Sequence, residues 1–365
     1  MLVKQVKFSN FRNLNLDYAP VKGFNVIVGE NSKGKSNFLD GLFMLSTAKS
    51  FKRFKIAENL NFDLDLEFAR LDCLLSADEM LNLSVVFTRL AENMYQQKYL
   101  INEKNVLRGK FEYKLKSVLF TPESLEVMIG SPEDRRSELD EILSIFDNEY
   151  ATTLKQYNYV VKSRNKLLYK VSIGKAGRIQ LEFWNARLIE LGCKIIKLRI
   201  NYLNAIKPSV NETAKSIFKA FGKNRLKINY IGSVSDANVP DKDSFLKRLD
   251  EVYNKELILG RTVVGPHRDD LEFNLGGRNL HIFGSRGEQR LATMIFKIAT
   301  YEYLTKLYET KAIFLLDDIL SELDKGNKLK LLDYLHKTGA QVFLTLANGD
   351  DIPKKFLKHA KIYRF

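Results

Sequence analysis

The chain has 365 residues, with 58 Lys+Arg against 44 Asp+Glu, a formal charge of +14, 45% apolar and 28% charged side chains. This balance excludes a chain dominated by disorder, and no run approaches the roughly 18 consecutive apolar residues of a membrane-spanning helix. Cys73 and Cys193 lie 120 positions apart in apolar settings and read as buried thiols, which fits a reducing cytoplasm.

In chain order, Met1 to Phe8 alternates like a strand and carries no signal-peptide core. Phe24-Asn25-Val26-Ile27-Val28 is a short buried strand that runs into Gly29-Glu30-Asn31-Ser32-Lys33-Gly34-Lys35-Ser36. That octet fits G-x-x-x-x-G-K-[ST], and the chemistry requires the spacing. Two glycines let backbone amides curl around a β-phosphate, Lys35 reaches the β/γ oxygens, and Ser36 offers a hydroxyl to Mg²⁺. A helix opening at Asn37 aims its N-terminal dipole at the same phosphates. Binding of ATP or GTP follows.

Phe68 to Leu75, Leu83 to Thr88 and Lys98 to Asn102 alternate between turn residues and predict an antiparallel meander. Ser131-Pro132-Glu133-Asp134 is a capped helix start. Beyond it, Tyr150, Leu154, Tyr157, Val161, Leu168 and Val171 mark one helical seam, with Arg164 at its single polar position. After Gly174-Lys175-Ala176-Gly177, a second seam runs through Leu181, Trp184, Leu188, Leu191, Ile195, Leu198 and Tyr202. Heptad-spaced helices joined by a glycine turn predict an antiparallel coiled-coil hairpin about 30 Å long. Between Ala151 and Lys227 the chain holds 17 Lys+Arg against Glu182, Glu190 and Glu212, so this segment carries the whole +14. Such a basic segment on a neutral body suits a polyanion, with Lys162, Lys166, Lys194 and Lys197 as candidate DNA contacts; the bland alternative is a solvated helical face.

Near the C-terminus, Gly284-Ser285-Arg286-Gly287-Glu288-Gln289-Arg290 precedes a helical pattern, and Ala312 to Leu316 is an apolar strand ending in Asp317-Asp318. Asp317 suits the water shell of Mg²⁺, and Asp318 suits the attacking water. The expected class is α/β, with a P-loop ATPase body, an antiparallel β subdomain and an inserted helical arm. The expected division is 1–130 for the N-terminal body, 131–225 for the arm and 226–365 for the C-terminal body.

The Ser285 segment resembles the S-x-G-[QE]-Q signature of ABC-type ATPases, and Ser321-Glu322-Leu323-Asp324 stands where those enzymes carry a D-loop. P-loop, helical insertion and signature together resemble the SMC/Rad50/RecF branch. Asn10-Phe11-Arg12-Asn13, Phe120-Thr121-Pro122-Glu123, Gly130-Ser131-Pro132 with Arg135-Arg136, Gly265 to Leu271, and Phe283 to Gly287 are similar to the RecF family, in that family's order. The resemblance implies a cytoplasmic bacterial ATPase and an ATP-dependent homodimer with two sandwiched nucleotides and Mg²⁺. It further implies binding to duplex and gapped DNA, and action with RecR and the RecO pathway to help load RecA at single-strand gaps in the SOS response. Ser285, Gly287 and Asp324 would then complete a partner's nucleotide site, and Arg12 would touch a phosphate.

The departures from the pattern matter. Asp318 stands where a Glu is usual, which implies slow, switch-like hydrolysis. Arg286 replaces the first of the usual two signature glycines. No His follows the strand Gln341 to Thr345, where Thr345 stands instead, and Thr121 and Glu123 occupy the place of a Q-loop. His267 has no clustered His or Cys and reads as a structural hydrogen-bonder. A transporter subunit is disfavoured by the missing His and the basic arm. A long SMC/Rad50-type tether is disfavoured because the hairpin turns at Gly174 to Gly177 without a Cys-x-x-Cys.

Overall fold

In a computed structural model, residues 1–30, 33–52, 54–61, 67–77, 79–127, 130–216, 226–235, 239–309, 311–347, 353–357 and 360–365 are described. They form two compact units: Met1–Ser124 with Leu304–Phe365, and Leu125–Tyr303. Among the described residues no helix is long and apolar enough to cross a membrane.

The first unit opens with the hairpin β1 (Leu2–Phe11) and β2 (Leu14–Tyr18), then β3 (Phe24–Val28) and α1 (Lys35–Thr47). The meander follows as β4 (Phe68–Ser76), β5 (Met80–Ala91), β6 (Met94–Ile101) and β7 (Lys104–Val106). Its sheet runs β2-β1-β4-β5-β6-β7, antiparallel throughout. Alternation drives this. On β4, Ala69, Leu71, Cys73 and Leu75 are fully buried while their neighbours are only partly covered. Phe38, Leu39 and Leu42 of α1 join the same core. After α2 (Arg108–Phe111), β8 (Ser117–Phe120) enters a second sheet, and α3 (Pro122–Leu125) leads out of the unit.

The second unit is helical with a small sheet. Its elements are α4 (Pro132–Phe146), α5 (Asn148–Ser172), α6 (Leu181–Ser216), β9 (Leu226–Ile231), α7 (Lys242–Leu259), β10 (Asp270–Leu275), β11 (Arg278–Asn279), α8 (Leu280–Phe283) and α9 (Arg286–Tyr308). Ser131 caps α4 through a reciprocal box with Asp134, with Pro132 in the first turn. Helices α5 and α6 pair along their length, and α7 packs on both.

That third helix changes the expected seam. Tyr150, Tyr157, Arg164 and Leu168 are buried, but Leu154, Val161 and Val171 are only half-buried, and Val160 is buried instead. A two-stranded coiled coil buries one stripe; a helix flanked by two others buries a wider one. Arg164 is 1% exposed. It pairs with Glu256 of α7 at 2.6 Å and donates to Thr262 Oγ1 at 2.8 Å and Asn185 Oδ1 at 2.8 Å. Arg199 is likewise 1% exposed, held by Asp140 at 2.6 Å and the Pro266 carbonyl at 2.7 Å. Two cations of the basic segment are therefore structural and unavailable to a polyanion.

The chain then returns to the first unit with β12 (Ile313–Leu316), α10 (Lys325–Thr338), β13 (Val342–Leu346), α11 (Lys354–Leu357) and β14 (Lys361–Arg364). The second sheet runs β14-β3-β13-β12-β8, all parallel. Its central strands are buried on both faces, which explains their unbroken apolar runs. Gln341, just ahead of β13, is 3% exposed. Its Oε1 accepts from Val3 N–H at 2.8 Å, and its Nε2 donates to the carbonyls of Val3 and Val21 at 3.0 Å each.

Candidate nucleotide site

Buried strand β3 delivers the glycine-rich loop, and α1 starts behind it. Asn31 and Ser32 lie outside the described residues. Gly34 sits at φ 109° as the helix cap, and a Cβ there would meet Leu14 Cδ2 at 2.6 Å and Asn13 Nδ2 at 2.9 Å. Only glycine serves, for backbone and for space. The Asn10 to Asn13 segment is the β1–β2 turn pressed on that glycine, with Asn10 and Arg12 themselves left-handed. Lys35 is 9% exposed, and its Nζ curls over the loop to donate to Gly29 O at 2.5 Å and Glu30 O at 2.8 Å. Lys33 is exposed.

A cleft in the first unit is lined by Gly34, Lys35, Ser36, Asn37, Lys52, Asp317, Asp318 and Thr345. The structure thus brings the loop and both terminal acids of β12 to one place. Asp317 is buried, and burial raises its pKa while hydrogen bonds from Thr345 and Ser36 pull it down. Thr345 is fully buried on β13, the strand between the loop strand and the acid strand. Its hydroxyl donates to Asp317 Oδ1 at 2.8 Å and accepts from Asp318 N–H at 2.9 Å. Asp318 is exposed at φ 51°, a left-handed conformation uncommon outside glycine.

Lys52 is the residue that sequence reading missed. Its Nζ donates to Asn37 Oδ1 at 3.1 Å, and burial lowers its pKa against the raising effect of Asp317. Asp40 folds the loop that carries it, accepting from Ser50 Oγ at 2.7 Å and Phe51 N–H at 2.8 Å. Arg12 is tied to the same carboxylate at 2.5 Å, with Asn59 at 2.9 Å and Asn37 at 3.0 Å, and stacks on Phe54 at 4.4 Å. Its guanidinium reaches the cleft through Asn37.

Other flagged residues take local partners. Asp324 caps α10, accepting from Asn327 N–H at 3.0 Å, and that bond lowers its pKa. Thr121 Oγ1 accepts from Ser124 N–H at 3.1 Å at the start of α3. In the second unit, Ser285 N–H and Oγ both donate to Glu288 Oε2 at 2.8 Å, closing a cap at the head of α9. Ser285 and Gly287 are exposed, and an added Cβ on Gly287 would meet nothing within 4 Å. Two segments noted separately in the sequence meet: Arg135 grips Asp270 with two bonds of 2.7 Å, and Arg136 donates to the Asp269 carbonyl at 2.5 Å. His267 Nδ1 bonds the Tyr157 hydroxyl at 2.7 Å. Lys162, Lys166, Lys194 and Lys197 are exposed on α5 and α6, Lys194 paired with Glu149 at 2.5 Å.

The family described as RecF/RecN/SMC N terminal domain matches residues 2–358. The DNA replication and repair protein RecF of Geotalea daltonii is 31% identical over 371 residues, covering 100% of this chain and 98% of that protein. The chain belongs to the RecF family. RecF of Caldanaerobacter subterraneus subsp. tengcongensis is 32% identical over 369 residues, covering 96% of each chain. A solved structure of the recombination mediator protein RecF-ATP in the RecFOR pathway superposes with TM-score 0.86 at 31% identity, over 96% of this chain and 93% of that one. An SmcHead structure shares the fold, with TM-score 0.53 at 14% identity over 96% of this chain and 90% of that one. The fold is that of ABC-type ATPases, as expected for the RecF family.

Proposed function

We propose that this RecF-family chain is an ATP-driven DNA-binding switch of recombinational repair and replication-fork maintenance. The observation that carries the reading is the meeting of Lys35, Ser36, Asp317, Asp318 and Thr345 around one cleft. Backbone N–H groups at the head of α1 and the Lys35 ammonium cradle the phosphates of ATP. The hydroxyl of Ser36 and the carboxylate of Asp317 are adjacent hard oxygens that would hold Mg²⁺. Mg²⁺ held there would neutralise phosphate charge. Asp318 orients the attacking water, and its short side chain makes hydrolysis slow.

Exposed Ser285 and Gly287, beside Ile282 at 66% and Phe283 at 69% exposure, form a surface suited to a second copy. In this reading two chains close head to tail on two nucleotides and hold duplex or gapped DNA, with Ser285, Gly287 and Asp324 reaching the partner's ATP. The chain is cytoplasmic and acts with RecR and the RecO pathway to help load RecA, a role supported by the solved relatives of the RecFOR pathway. In this reading residues 131–225 form the arm, with its lysines on DNA phosphates.

The test is Lys35→Ala. ATP-stimulated dimerisation, measured by sedimentation, and ATP-stimulated duplex binding, measured by anisotropy, should be lost together. Retention of either one in the variant sinks the coupling.

A further inference from the structure

The arm carries a groove of about 500 Å³ lined by residues of α5 and α6. Two of its lining rings, Tyr159 on α5 and Phe183 on α6, are each 65% exposed, and large rings left so open mark a contact surface. Trp184 is half-buried, its ring centroid 6.2 Å from Tyr159 and 5.3 Å from Phe183. Val160 and Leu191 also line the groove and are buried, so the cavity ends on aliphatic side chains.

The mouth of the groove is basic, but thinly so. Lys155 and Arg187 are the two cations in its lining, one from each helix. Arg187 Nη1 donates to Glu190 at 2.6 Å, and a guanidinium has five N–H donors, so the fork can take a second carboxylate. Glu182 precedes Phe183 in the chain and Glu190 follows Arg187 by three positions. Further out on the same face of α5 stand the exposed Lys162 and Lys166.

These features select an occupant. An aliphatic base to a concave site receives an apolar side chain, and a few cations at its mouth receive a few carboxylates. A phosphate backbone, with a charge on every unit, meets two cations here and two acids beside them. A wholly apolar partner would leave the charged mouth without a complement. We infer that the groove docks a short acidic peptide segment of a partner protein. Its apolar anchor sits between Tyr159, Phe183 and Trp184 over Val160 and Leu191, and its carboxylates lie on Lys155 and Arg187. The site is separate from the ATP-driven reading above and requires no nucleotide.

Trp184 is the chain's one tryptophan, so the site reports on itself. The probe is the capped synthetic peptide Glu-Asp-Leu-Phe-Asp-Glu, titrated into the full-length protein without nucleotide. Tryptophan emission should change saturably, and the peptide with Ala-Ala in place of Leu-Phe should bind far more weakly. Phe183→Ala should weaken binding by about tenfold and leave ATPase turnover unchanged, whereas Phe183→Tyr should retain binding. Arg187→Glu should weaken it too and flatten its dependence on salt. Binding should survive in Lys35→Ala, so failure here is distinct from failure of the ATP-coupled reading. Absence of saturable binding to the wild-type protein overturns the inference, as does equal affinity for the Ala-Ala peptide. Oligo(dT) binding that falls tenfold in Phe183→Ala would give the groove to nucleic acid and overturn it as well.

Discussion

Thr345→Val tests how the acid pair is held. The threonine hydroxyl donates to Asp317 Oδ1 at 2.8 Å, accepts from Asp318 N–H at 2.9 Å and lies 3.5 Å from the Leu316 carbonyl, and valine keeps the shape while removing these contacts. Asp317 is 8% exposed and keeps its hydrogen bond from Ser36, so losing one of its donors costs at most about 1–3 kcal/mol. Asp318 is exposed, so its freed N–H can hydrate and adds little. The fold should therefore survive. The chemical effect should be larger, because losing the outer partner of a metal ligand typically costs about 10–100-fold in metal affinity or activity. Burial already raises the pKa of Asp317, and the Thr345 bond opposes that rise. Without the bond, Asp317 protonates at higher pH, so the acid limb of the ATPase profile moves upward. The assay is ATPase rate against Mg²⁺ and against pH from about 5.5 to 8.5, with Thr345→Ser as the variant that keeps the hydroxyl. An unmoved Mg²⁺ half-saturation and acid limb in the valine variant would refute the reasoning. So would a serine variant as impaired as valine.

Arg164→Met should destabilise by about 3–5 kcal/mol, since it strands Glu256 in a fully buried site. The double change with Glu256→Met should cost less than the sum of the single changes in denaturant melts; strict additivity would show that the two do not act as a pair. His267 is held at about 4 by burial against an ordinary 6.5, so the unfolded chain takes a proton that the native one refuses. Stability should fall as pH drops from about 6.5 to 4, by up to about 3 kcal/mol, and His267→Gln should flatten that part of the curve. An identical slope in the variant would assign the acid sensitivity elsewhere.

The phosphate loop was legible because its chemistry fixes residue types at fixed spacing, and the two acids because a short apolar strand ends at them. The meander was legible because each strand buries one face. Lys52 was not, since its place depends on Asp40 folding back the loop after α1, an interaction with no spacing signature. The polar seam position at Arg164 was visible, but its partner Glu256 lies 92 residues on, in a helix whose packing against α5 the pattern could not announce. That packing also shifted burial from Val161 to Val160. The Arg135–Asp270 and Arg136–Asp269 contacts spanned 135 and 133 residues. Both ends stood out in the sequence, and only the fold showed that they meet.

Gln341 joins the β1 end of the antiparallel sheet to the strand that carries Thr345, and it does so entirely through main-chain groups of Val3 and Val21. The joint does not use the side chains at those two positions, whereas removing the Gln341 amide breaks three bonds at once. Of the three residues, only Gln341 holds the joint through its side chain, while Val3 stays constrained by its place in the core.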